Sequence, residues 1–136
     1  MTGYRLEDQI GFILRLAMQR HISLFTDRIE EITRPQFSVL AKLCALGEAS
    51  QNELGRSIAM DAATIKGVVD RLRARGLVSA EPLATDRRRL ILKPTPAGRA
   101  LFDSLISRAL DASAATLSPL DDDEKKQLLE LLNRLT

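Results

Sequence analysis

Residues 50–98 read SQNELGRSIAMDAATIKGVVDRLRARGLVSAEPLATDRRRLILKPTPAG, and the rest of the chain is arranged around them. Ser50-Gln51-Asn52-Glu53 has the form of a capping box, so a helix is predicted from Gln51. Leu54, Ile58 and Ala59 fall on one face of it. The pattern breaks at Met60-Asp61, and Asp61 is placed to cap a second helix with the inward stripe Ile65, Val68, Val69 and Leu72. Arg71, Arg73 and Arg75 load the end of that helix, where cations suit the dipole, and Gly76 is the expected stop. The two helices make a helix-turn-helix.

The next residues decide its subtype. Leu77 to Pro82 and Leu90 to Lys93 are short strand-like runs, separated by a predicted loop over 83–89. A hairpin directly after a recognition-type helix, with Arg87, Arg88 and Arg89 at its tip, reads as a DNA-contacting wing. Thr95-Pro96 supplies an N-cap and a first-turn proline for the following helix.

Val68-Val69-Asp70-Arg71-Leu72, Arg75-Gly76-Leu77-Val78, Asp86-Arg87-Arg88 and Thr95-Pro96-Ala97-Gly98 together resemble the MarR family of bacterial transcriptional regulators. The family's wing signature is D-x-R followed after five residues by L-T. Asp86, Arg88 and Thr95 stand at those spacings, but Pro94 occupies the leucine position. Proline cannot donate to a ladder, so the end of the second wing strand is expected to loosen or bend. The resemblance implies a mainly α fold with a small β-hairpin wing, a winged helix-turn-helix flanked by N- and C-terminal dimerisation helices.

Composition fits a helical DNA binder. The 136 residues suit one domain, with 4% aromatics and 45% hydrophobics rich in Leu, Ala and Ile. Formal net charge is +2, yet residues 62–93 hold eight basic and three acidic side chains. A basic patch on a near-neutral chain points to a polyanionic partner for one face. One cysteine and no signal-like N-terminus suggest a cytoplasmic setting, and no apolar run approaches the roughly 20 residues that span a bilayer.

In chain order, helix 1 is predicted over Leu6 to Ile32, with the stripe Ile10, Ile13, Leu14, Ala17, Leu24 and Phe25 widened by Phe12, Leu16 and Ile22. Helix 2 follows Thr33-Arg34-Pro35 and closes at Gly47. Helix 5 runs from Pro96 to about Leu117, and helix 6 opens on the acidic run from Asp121 to Glu124. Helices 1, 5 and 6 carry more apolar surface than so small a domain buries alone, which predicts an isologous homodimer. The chain therefore reads as a single domain, residues 1–136. Dimerisation helices occupy 6–47 and 99–136, around a DNA-binding region at 48–98.

A dimer doubles the half-site read by each helix-turn-helix, so double-stranded DNA with a pseudo-palindromic operator is the expected partner. Ala62, Ala63, Thr64, Lys66, Gly67 and Arg71 form the outward face of the second helix. The small residues admit it deep into a major groove, with Lys66 the long donor among them. Ser50 and Gln51 would hold phosphates. The family resemblance implies that Arg88 enters the minor groove or is held by Asp70, and that Asp86 orients the wing arginines.

The resemblance also implies a small-molecule effector, often an aromatic or phenolic acid, which releases DNA from a repressor. An aromatic acid or its acyl-CoA thioester would meet Phe12, His21, Phe25, Arg34 and Phe37, from helices 1 and 2. Those residues would serve equally well as core, and an interior histidine is the commoner role for His21. Cys44 sits at core spacing, with a redox-responsive repressor as the alternative. A nonspecific DNA-packing winged-helix protein is a further alternative. One His and one Cys are too few for a common metal-sensor cluster, and nucleotide-loop, metalloprotease and nucleophile-elbow motifs are absent, so neither metal, cofactor nor catalysis is expected.

Overall fold

The computed structural model describes residues 3–136, which form two compact units, 30–106 and 3–29 with 107–136. In the first, α2 (Arg34–Leu46) opens on a reciprocal capping box between Thr33 and Gln36, with Pro35 in its first turn. β1 (Ala49–Ser50) leads into α3 (Gln51–Ser57), where Ser50 Oγ accepts the Glu53 N–H at 3.2 Å. Asp61 caps α4 (Ala62–Ala74) by accepting the Thr64 N–H at 2.7 Å. Gly76, at φ +72°, turns the chain into β2 (Val78–Leu83). Val39, Leu40, Leu43, Leu54, Ile65, Val69, Leu72 and Leu92 are closed off from solvent and make the core. The inward stripe of α4 is the one its 3.6-residue period requires.

β2 and β3 (Asp86–Pro94) pair antiparallel, and β1 adds to the far edge of β3 to give the order β1-β3-β2. This corrects the expected wing. The loop is only Ala84-Thr85, and Arg87, Arg88 and Arg89 belong to a strand rather than a tip. Pro82 pairs with Leu90 and Leu83 with Asp86, so the three arginines fill the register shift between those pairs. A bulge is where a strand accommodates the missing N–H of Pro82, and it re-aims the side chains it carries. β1, two residues long, gave no sequence signal of its own.

The loosening expected at Pro94 is also corrected. Pro94 is buried and in register with Val78. The donor that proline lacks is supplied one residue later, where the Thr95 N–H meets the Leu77 carbonyl at 3.1 Å. The Thr95 hydroxyl donates to the Gly76 carbonyl at 2.6 Å and accepts the Gly98 N–H at 3.0 Å, which starts α5 (Pro96–Leu117). At Gly98 the helix backbone lies so close that a Cβ would stand 2.1 Å from the Leu77 oxygen.

The second unit holds α1 (Ile10–Arg28), α5 from residue 107 and α6 (Asp122–Asn133). Helix 1 is shorter than predicted at both ends. Leu6–Asp8 is a separate 3-10 turn, Gln9 is extended, and Ile29 leaves the helix as its N–H closes on the Phe25 carbonyl. Ile29 itself is buried. Arg20 donates to the Ala115 and Thr116 carbonyls, and Arg108 to that of Arg28. Ile10, Ile13, Leu14, Leu16 and Met18 of α1, Leu110 of α5, and Leu129 and Leu131 of α6 are exposed, as is Leu135 just past α6.

Candidate DNA interface

α4 presents Ala62, Ala63, Thr64, Lys66 and Arg71 to solvent, with Gly67 half-buried between them. These are the residues that its buried stripe forces outward. Lys66 Nζ lies 2.7 Å from Asp70 Oδ2, one turn on. The lysine hydrogen bond holds the Asp70 carboxyl below its ordinary range, with its charge and those of Arg73 and Arg71 assisting. The Asp61 carboxyl is lowered too, chiefly by the backbone hydrogen bond from Thr64. Both groups are thus anionic at neutral pH. A depressed carboxylate stabilises the fold above its unfolded pKa and loses that contribution on acidification, so the α4 cap weakens as pH falls through the carboxylate range.

Ser50, Gln51 and Asn52 at the start of α3 and Arg88, Arg89 and Leu90 of β3 line one cleft of about 220 Å³. The wing arginines and the helix-turn-helix therefore form one surface. Asp86 Oδ1 accepts the Arg88 backbone N–H at 3.1 Å, so it fixes the strand at the bulge rather than a guanidinium. Asp70, expected to orient the wing, has Lys66 as its partner. Ser50 is buried, its oxygen engaged by the α3 cap. Asn52, Arg56 and Met60 escaped the sequence reading. With Gln51, Gly55, Ala62 and Ile65 they line a second cleft of about 190 Å³. The signal available was their polar or flexible character beside the predicted turn.

The expected effector residues divide between the units. His21 Nδ1 lies 2.8 Å from Thr116 Oγ1, whose own proton goes to the Ala112 carbonyl at 2.8 Å. The imidazole Nδ1 is therefore the donor in that contact. Its ring lies 6.5 Å from that of buried Phe25, and Phe12 is half-buried on the same helix. Arg34 is half-buried at the start of α2, and the Phe37 ring packs 5.6 Å from Phe102.

Cys44 is partly buried. Burial pushes its thiol pKa up; Arg99 opposes the shift and Asp103 adds to it. A reactive cysteine needs the opposite shift. Ellman's reagent at neutral pH is expected to modify folded Cys44 more slowly than unfolded Cys44. Equal rates would restore the redox alternative. No group of three His, Cys, Asp or Glu suited to a metal occurs among the described residues, and no helix there is long and apolar enough to cross a membrane.

A family model described as MarR family matches residues 32–90. The chain is 38% identical to the HTH-type transcriptional repressor NicR of Pseudomonas putida, over 98% of this chain and 86% of that one. A probable transcriptional regulator from Pseudomonas aeruginosa shares 46% identity and superposes with a TM-score of 0.94, over 97% of this chain and all of that one. BpsR of Bordetella bronchiseptica, whose DNA binding is regulated by 6-hydroxynicotinic acid, shares 34% identity at a TM-score of 0.93, over 97% and 96% of the two chains.

Proposed function

This chain belongs to the MarR family of transcriptional regulators, and from that premise we propose that it is a homodimeric, cytoplasmic repressor released from a pseudo-palindromic operator by a small aromatic acid. The observation that carries the reading is the cleft shared by Ser50–Asn52 and Arg88–Leu90, with Gln51 and Asn52 also meeting Ala62 of α4 in the second cleft. Ala62, Ala63, Thr64, Lys66, Gly67 and Arg71 read the major groove. Ser50 and Gln51 hold the backbone, and Arg87, Arg88 and Arg89 follow it along the wing. Metal, cofactor and catalytic step have no part in it.

The dimer rests on the exposed apolar side chains of α1, α5 and α6, which a second copy would cover. Sedimentation at micromolar concentration is expected to give a dimer, and a stable monomer would remove this part of the reading. Repression is favoured by likeness to NicR, and an aromatic acid by likeness to BpsR. We assign effector contacts to Phe12, His21 and Phe25, which lie in one unit. A hydroxylated heteroaromatic carboxylate is favoured over an acyl-CoA thioester. An effector lowers operator affinity only by its differential affinity for the non-binding state.

The test is anisotropy of the protein on a duplex selected from a random library, titrated with 6-hydroxynicotinic acid, benzoic acids and their CoA esters. Release by an aromatic acid is expected. His21→Ala should raise the acid concentration needed by about tenfold, the scale of one lost hydrogen bond to a charged group, while DNA binding persists. Equal affinity for selected and random duplexes would favour the packing protein instead.

A further inference from the structure

The Lys66–Asp70 pair does little for the helix that carries it. Both side chains are largely exposed, at 66% and 49%, and water screens such pairs. The order, lysine before the acid, is the weaker arrangement at this spacing. Yet Asp70 shares the outward face of α4 with Ala63, Lys66 and Gly67, on the side offered to a polyanion. A carboxylate there weakens attraction to phosphate on every DNA sequence alike.

That cost has a consequence for discrimination. An unrestrained lysine is a flexible point charge, satisfied by any phosphate oxygen. With Nζ held 2.7 Å from Asp70 Oδ2, Lys66 is kept over its own helix face, among small side chains, with its remaining protons available to base-edge acceptors. Arg71 and Arg73 beside Asp70 keep the carboxylate within a cationic surround. We propose that Asp70 is a specificity-determining residue, which holds Lys66 for base readout at a cost in phosphate attraction shared by every sequence. The inference rests on the regulator reading above.

The experiment uses the full chain with the selected duplex and a random duplex of equal length, at several salt concentrations. Asp70→Asn keeps size and acceptor while removing charge. It should tighten random-duplex binding severalfold, steepen its log–log salt slope by up to about one unit, and lower the selected-to-random ratio. Lys66→Met should lower the ratio as well, and the double variant should fall no further than the worse single one. An unchanged ratio in Asp70→Asn overturns the inference, as do single-variant losses that simply multiply. If the unaltered protein prefers no sequence, the regulator reading falls with it. If it does prefer one and only Asp70→Asn is silent, the inference falls alone.

Discussion

Gly98→Ala is expected to unfold more readily than any other single-methyl change in this chain. The added Cβ would stand 2.1 Å from the Leu77 carbonyl oxygen and 3.3 Å from a Leu40 methyl. Leu40 is fully buried and cannot retreat without opening the core. The Leu77 oxygen cannot retreat either, because it accepts the Thr95 N–H that completes the sheet beyond Pro94. Overpacking against a fixed backbone costs about 3 kcal/mol or more, which lowers the melting temperature by roughly 10 °C in a chain of this size. Thermal unfolding followed by circular dichroism measures it. Ala97→Gly, at an exposed neighbouring position, should cost far less. A melting curve for Gly98→Ala that overlays the parent would show that the close approach is relaxed in solution.

The second large effect is on DNA binding. Arg88 lines the cleft with Ser50, Gln51 and Asn52, and the Asp86 carboxylate pins its backbone N–H. Arg88→Ala removes a guanidinium from the strand proposed to follow the duplex, leaving the flanking pairs of β3 with β2 in place. Affinity for the selected duplex should fall by about 1–3 kcal/mol, the range of a specific arginine contact. If the contact is to phosphate, the log–log salt slope also flattens by up to about one unit. Asp86→Ala should weaken binding less, because it frees the strand without deleting the charge. Unchanged affinity and slope in Arg88→Ala would remove the wing from the interface.

Most of the fold was legible because local chemistry and tertiary packing agree. Ser50, Asp61 and Thr95 cap the helices they precede, and the period of Ile65, Val68, Val69 and Leu72 points their side chains inward. Several features were not legible, the β1–β3 pairing and the Thr95 bond past Pro94 among them. The arginine run reads as a solvated loop, yet the pairs on either side of it, Leu83 with Asp86 and Pro82 with Leu90, carry the strand through it as a bulge. Helix 1 carries an apolar period beyond Arg28, yet the backbone turns extended at Ile29. At the DNA face the residue types were readable and their pairing was not. Asp70 is as close in sequence to Lys66 as in space, but the resemblance drew it towards Arg88.

Ser50 belongs to two structures at once: it pairs with Ile91 as a strand residue and it caps α3. The arginine-bearing strand and the helix-turn-helix are thereby welded at a joint without a hinge residue. Bending the wing on its own would tear both the β1–β3 ladder and the cap of the neighbouring helix. The winged head is thus a single tool with a fixed grip, and whatever loosens its hold on DNA must reposition the whole head rather than fold back one finger of it.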